Sequence, residues 1–258
     1  MSIPHSGIES LPGVRETDFA QPSYVTFPWG YSDLFAGNVY ADAAKHGATV
    51  VATPYSRLFI DVNRARDDFE CSEGAVKSQR GVFRTHMIND QAIFAAPLTK
   101  TDAELRLRRY YDPYHEKLEA IIEDRYRRFD RVVLLDAHTG SPNGMRNHEV
   151  IIGTRHGQTA SPALVELARK AFQIHGFSVE ENVSGYSGGQ IVRRHSANGT
   201  GRAVQALQIE INSGLLMTTP RKELIKTMMR GQIPPSHQGN IDRARASVAC
   251  LLEQLAGG

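Results

Sequence analysis

Apolar positions along this chain fall into short aliphatic runs separated by amphipathic stretches, the pattern of alternating strands and helices. Residues 36–47 (AGNVYADAAKHG) predict a helix stopped by Gly47, and 48–54 (ATVVATP) a buried strand ended by Pro54. LFIDVNR at 58–64 is a second short apolar run. TDAE predicts a capping box, Thr101 as N-cap and Glu104 three residues on, opening a helix to about Phe129. Tyr114, Leu118, Ile121 and Ile122 share one face of that helix. Pro113 interrupts the pattern, so a split into two helices is expected there. RVVLLDA (131–137) reads as a strand, and Ser161–Pro162 starts a helix through about His175. Segments 177–183, 190–194 and 203–212 read as strands, and a last helix covers Asn240 to Leu255. Residues 184–189 and 196–202 are Gly/Ser-rich loops. Alternating βα units with aliphatic strands predict one α/β domain over 1–258, built on a mostly parallel sheet.

Composition narrows the class of protein. A chain of 258 residues can bury a substantial core. Its 30 Lys+Arg nearly balance 28 Asp+Glu, so charge gives no reason to expect nucleic acid or an anionic membrane as partner. No apolar run approaches the roughly 18 residues of a membrane span. The first ten residues have neither a basic nor an apolar signal region, so a cytoplasmic location is expected. Cys71 and Cys250 stand far apart without a CxxC, which excludes a disulfide scaffold or a Cys-rich zinc knot.

Open α/β sheets hold ligands beyond the carboxyl ends of their strands, so polar residues at strand ends are the first candidates. Four places stand out: His5 in IPHSG, Asp61, Asn63 and Arg64 in FIDVNR, Asp136 and His138 in VVLLDAHTG, and Glu210 in LQIEIN. In LQIEIN, Gln208, Glu210 and Asn212 share one face while Leu207, Ile209 and Ile211 share the other. That polar face reads either as the solvated side of an edge strand or as a carboxylate aimed into a cleft, where it could act as a general base. A lone strand-end histidine is ordinarily a surface residue, but two of them with carboxylates nearby match catalytic zinc, which takes two His, one carboxylate and a water. Asp136, two residues before His138, could orient that imidazole through its second N–H. Arg64 offers a two-pronged carboxylate contact beside the Asn63 amide, or a structural ion pair with Asp67 or Asp68. GYSGG (185–189) matches the G-x-S-x-G nucleophile elbow around Ser187. QIVRR after it reads as strand rather than helix, and His237 and Asp242 come in the wrong order for a triad, so a Gly-rich loop closing on a ligand is the preferred reading.

IPHSG (3–7), SRLFIDVNRARDD (56–68), LLDAHTGSP (134–142), IIGTRHG (151–157), SGGQIVRRH (187–195) and ALQIEIN (206–212) together resemble the N-formylglutamate amidohydrolase (N-formylglutamate deformylase) family, in the family's order. The family is itself related to zinc carboxypeptidases and aspartoacylase. The resemblance implies a zinc-exopeptidase-like, three-layer α/β/α fold with a mostly parallel, mixed central sheet. It implies one Zn2+ per chain on His5, His138 and a third ligand, Asp33 in preference to Glu9, with Glu210 as the base. It implies Arg64 and Asn63 on a substrate carboxylate, Arg57 and Arg155 as candidates for a second one, and Gly188 and Gly189 lining the substrate. The resemblance implies an amidohydrolase cleaving the formyl amide of N-formyl-L-glutamate, or of a similar small N-acyl acidic amino acid, to formate and the amino acid, in the setting of histidine degradation. An aspartoacylase-like deacylase or a γ-glutamyl peptide hydrolase would use the same metal site. A serine esterase using Ser187, or a non-catalytic acidic amino-acid binder, would not. The chain departs from the family pattern in three places: only four residues precede His5, Gly185–Tyr186 replace a Pro-Phe-like pair, and Ser213 and Leu216 stand where Arg and Tyr are usual. The last two touch substrate contacts more than metal ligands.

Overall fold

The protein is described from a computed structural model covering residues 1–196 and 204–257. Its strands are β1 (Ser2–Ile3), β2 (Val51–Ala52), β3 (Glu70–Ser72), β4 (Ala75–Lys77), β5 (Leu98–Thr99), β6 (Val132–Gly140), β7 (Val150–Gly153), β8 (Val179–Glu181) and β9 (Val204–Asn212). Its α-helices are α1 (Phe27–Gly30), α2 (Ala36–Val39), α3 (Lys100–Arg106), α4 (Asp112–Tyr126), α5 (Pro142–Met145), α6 (Pro162–Gln173), α7 (Gln190–His195), α8 (Arg221–Met229) and α9 (Gln238–Gly257).

Among the described residues, six strands form the central sheet in the order β2-β1-β6-β9-β7-β8, all neighbours parallel except β7 and β9. The sheet is therefore mixed and mostly parallel. The long pair β6 and β9 is its spine, in register from Val132↔Val204 to Gly140↔Asn212. Alternation along both strands divides their side chains. Leu135, Ala137, Leu207, Ile209 and Ile211 join one core cluster, packed against α6 and α9. Leu134 and Ala206 point the other way, into a second cluster built on α3, α4 and α7. Helices thus cover both faces, the three-layer α/β/α arrangement. A third cluster, around Leu58, Phe59 and Ile93, lies under the loops, and β3-β4-β5 form a small antiparallel sheet.

Several expected elements hold. Ser161 caps α6, its hydroxyl accepting from the Leu164 N–H at 3.3 Å, with Pro162 next in line. Tyr114 and Leu118 are buried on α4, and Ile121 and Ile122 pack against the same cluster. Others change. The helix expected over 36–47 breaks into α2 and a 3-10 turn at Ala43–His46, because the backbone leaves helical geometry at Tyr40 and Asp42. The strand expected over 48–54 shrinks to β2, since its neighbour β1 offers two residues to pair with. Segment 58–64 is not a strand: Leu58, Phe59 and Ile60 are all buried in succession, and the chain turns so that Arg64 N–H bonds Asp61 O. Thr99, not Thr101, is the cap of α3, accepting from Asp102 N–H at 3.1 Å. The long helix is divided near Pro113, into α3 and α4, by a π-helical turn at Leu107–Tyr111 through which the backbone stays helical. Residues 190–194 form helix, not strand: Ile191, Val192 and His195 bury one helical face, and the adjacent β-branched pair Ile191–Val192 mimicked a strand. Residues 197–202, most of the expected loop at 196–202, lie outside the described residues.

Candidate functional site

The carboxyl ends of β1, β6 and β9 open into one cleft of about 740 Å³. The parallel register sets His138 beside Glu210 and Asp136 beside Gln208 on the sheet face turned away from α6 and α9. β9 is an interior strand between β6 and β7, so the edge-strand reading of Glu210 is overturned. Two residues past β1, His5 meets the same place, its ring 4.8 Å from that of His138. Asp33 arrives from the loop before α2, tied down by its N–H on His5 O at 2.8 Å.

His5, Asp33 and His138 are all buried, and their ligand atoms lie within 4.8 Å of one another. Asp33 Oδ2 is 2.9 Å from His138 Nδ1, and Asp33 Oδ1 is 3.8 Å from His5 Nδ1. The far nitrogen of each imidazole is held by a second carboxylate. His5 Nε2 lies 2.7 Å from Asp61 Oδ1, and His138 Nε2 lies 3.1 Å from Asp136 Oδ2. Such carboxylate–histidine pairs fix the tautomer and leave the Nδ1 lone pair to a cation. Two imidazoles and one carboxylate, each supported from behind, are the donor chemistry that suits a divalent metal such as zinc, so these residues fit the ion. Glu9 is exposed and, among the described residues, is held through its backbone by Pro54 and Ser56, outside the cluster.

Burial is the first influence on every charge here. It lowers the pKa of His5. Burial would also lower that of His138, but the charges of Asp136 and Glu210 and the hydrogen bonds of Asp136 and Asp33 overcome it and raise it well above the usual histidine range. Asp61 shows the opposite balance: burial disfavours its charge, yet His5, Arg57 and Arg84 hold its carboxyl far below the usual range. Glu210, 7 % exposed, is pushed up to about 8, by burial first and by the charge of Asp33, against the pull of His138. Gln208 Nε2 donates to Glu210 Oε1 at 2.7 Å and sets its rotamer. A Cβ on Gly140 would come within 3.1 Å of Glu210 Oε2 and 2.4 Å of Met145 Sδ, so the glycine ending β6 makes room for both.

The other expected residues line the same cleft: Arg57, Asn63, Arg64, Arg155, Gly188 and Gly189. Arg57 donates to Tyr31 O at 2.8 Å and its Nη1 lies 2.9 Å from His5 Nδ1. Arg64 is exposed and forms no ion pair among the described residues, so the structural pairing with Asp67 or Asp68 is absent from them. Asn63 Nδ2 converges with His138 Nε2 on Asp136 Oδ2, at 3.0 Å, while Asn63 Oδ1 accepts from Ile191 N–H at the start of α7. Gly189 leaves room for that junction, since a Cβ there would sit 2.5 Å from Asn63 Oδ1 and force it to shift. Gly188, at φ +116, adopts backbone that side chains rarely take.

Ser187 also faces the cleft. The segment after it is a helix, so the helix half of an elbow is present after all, contrary to expectation. A nucleophile elbow is a sharp strand-to-helix turn, however, and here residues 182–189 separate β8 from α7. No imidazole among the described residues hydrogen-bonds the Ser187 hydroxyl. Asp61, singled out in the sequence without a role, is the partner of His5; Gln208 was visible through strand alternation. Arg84 and Arg193 line the cleft unannounced, because one comes from an irregular segment and the other from the helix misread as strand.

A profile of the N-formylglutamate amidohydrolase family matches residues 1–217. An N-formylglutamate deformylase of Pseudomonas putida is 26% identical over 230 residues, covering 84% of this chain and 80% of that protein. One from Pseudomonas aeruginosa is 24% identical over 270 residues, covering 99% and 91%. The crystal structure of an N-formylglutamate amidohydrolase from Ralstonia eutropha JMP134 superposes with a TM-score of 0.78 at 23% identity, over 99% of this chain and 91% of that one.

Proposed function

The chain belongs to the N-formylglutamate amidohydrolase family, and from that premise we propose that it is a metal-dependent hydrolase that cleaves the formyl amide of N-formyl-L-glutamate, or of a similar N-acyl acidic amino acid, to formate and the free amino acid. The observation that carries this reading is the placement of Glu210 beside His138 on paired strands, facing the His5–Asp33–His138 cluster in a cleft lined by arginines.

In this reading His5, Asp33 and His138 hold one zinc ion. When bound, the ion would lower the pKa of a bound water toward about 7 and polarise the acyl oxygen. Asp61 and Asp136 keep the two imidazoles in the tautomer that presents Nδ1 to it. Glu210 accepts the proton of the attacking water and then delivers it to the departing amine nitrogen. Burial raises its proton affinity, which favours the first of these transfers. Arg64 takes a substrate carboxylate, with Arg57 and Arg155 as further cations along the cleft. Asn63 keeps the His138–Asp136 pair in place from behind. Gly188 and Gly189 let the backbone of their loop approach the substrate.

The test is metal analysis of the purified protein followed by formate release from a panel of N-formyl and N-acetyl amino acids, before and after chelation. About one zinc per chain, loss of activity on chelation and preference for N-formyl-L-glutamate are expected. Turnover that survives complete metal removal would overturn the reading and favour a serine nucleophile.

A further inference from the structure

Resting on the deformylase reading of the cleft, we infer that it holds two separate anion subsites completed by Arg84 and Arg193: Arg84 with Arg57 and Arg64 receives the carboxylate beside the scissile amide, and Arg193 with Arg155 receives the side-chain carboxylate.

Five arginines line the cleft, and the chain's own acids satisfy them unequally. Arg57 Nη2 stands 3.8 Å from Asp33 and Arg84 Nη2 3.3 Å from Asp61, but both acids are already committed to histidines. Arg64, Arg155 and Arg193 form no ion pair among the described residues.

Arg84 is the most telling of the five. It is 8 % exposed, lies with its guanidinium carbon 5.3 Å from the centre of the Tyr31 ring, and donates to Gln79 O at 3.2 Å. Its Nε–H is buried and has no hydrogen-bond partner among the described residues. The positive charges of Arg57 and Arg64 also bear on it. A buried guanidinium with an unused donor, crowded by like charges and sharing one carboxylate with His5, is short of an anion.

On the other wall, α7 buries Ile191, Val192 and His195 and leaves Arg193 exposed on the cleft side. Its neighbour Arg194 pairs with Glu119 at 2.9 Å, whereas Arg193 has no such partner among the described residues. Arg155 reaches the same wall, packed on Gly188 and donating a long 3.4 Å bond to its carbonyl. A ligand with one carboxylate would leave one of these walls unneutralised. A dicarboxylate answers both.

Glutamate and glutamine have the same shape and differ by the charge that Arg193 would read. Calorimetry with L-glutamate and L-glutamine on the metal-loaded protein therefore isolates the second subsite. Arg193→Gln should weaken glutamate about 10- to 100-fold and glutamine less than twofold. The KM for N-formyl-L-glutamate should rise in the same variant, narrowing its advantage over N-formyl-L-glutamine. Arg84→Met should weaken both ligands alike, because both carry the first carboxylate, and Arg84→Lys should recover part of that loss. Equal loss of both ligands in Arg193→Gln, no loss of either, or undisturbed binding in Arg84→Met would overturn the assignment. If Arg84→Met does not fold, the Arg193→Gln comparison decides. A wild-type protein that releases no formate but still separates glutamate from glutamine through Arg193 would reject the deformylase reading and keep the two subsites.

Discussion

Glu210 and Asp61 are both buried carboxylates, yet their surroundings drive their proton affinities in opposite directions. Glu210 faces Asp33 with a single amide donor, whereas Asp61 accepts from the Asn63 N–H and meets His5 and Arg84. Glu210→Gln keeps the shape and the Gln208 contact but removes the proton carrier. Bound metal should stay near wild-type stoichiometry while kcat falls by at least about a hundredfold. Near-normal turnover would remove Glu210 from the chemistry. Asp61→Asn leaves all three proposed ligands intact and weakens the grip on the His5 tautomer. Metal affinity should drop about 10- to 100-fold, read by competition with a chelator. Unchanged affinity would mean that Asp61 serves folding and not the metal. His138 and Glu210 were legible in the sequence because strand alternation and strand ends are local properties. Arg84 was not, because nothing local distinguishes a buried arginine in an irregular segment from an exposed one.

Helix α7 and the loop before it tie the substrate wall to the metal wall. Gln190 N–H and Ile191 N–H bond the carbonyl and side-chain oxygens of Asn63, and Gly189 lets them close. Gly189→Ala places a methyl 2.5 Å from Asn63 Oδ1, against an amide that also holds Asp136. The substitution should cost about 1–3 kcal/mol of stability, the scale of overpacking, and lower activity further by shifting Asn63. Urea denaturation and formate release measure the two effects, and wild-type values in both would show the contact to be soft. Next to Asn63, Arg64 O accepts from the Tyr111 hydroxyl at the end of the π-helical turn at 2.7 Å. The sequence announced neither arrangement. A six-residue helix is too short for its period to show, and a π-helical turn lies within an otherwise continuous helical pattern.

At the scale of the whole molecule, stability and pH meet in a buried histidine pair outside the cleft. His115 Nδ1 and His195 Nε2 lie 2.9 Å apart, and His115 Nε2 donates to Val62 O. Burial first, with Arg194 next, depresses their pKa values to about 3 and about 4. The unfolded chain therefore binds more protons at these sites below about 6.5, so their contribution to stability is present above that pH and is lost as pH falls toward 4. The Tm of wild type should decline over that range more steeply than that of His195→Gln, and parallel slopes would remove the pair as the cause. Much of the molecule was determined by the chain alone. The aliphatic runs of β6 and β9, their two-residue alternation, the capped α6 and the order of the six motifs place His5, His138 and Glu210 at strand ends. Those features rest on short-range sterics and periodicity, which a sequence records directly. The tertiary structure alone decided that Asp33 rather than Glu9 meets the histidines, that Asp61 backs His5, and that Arg84 and Arg193 share the cleft. These pairings join residues dozens of positions apart, and their partners are chosen by how the layers pack and where buried charge finds compensation.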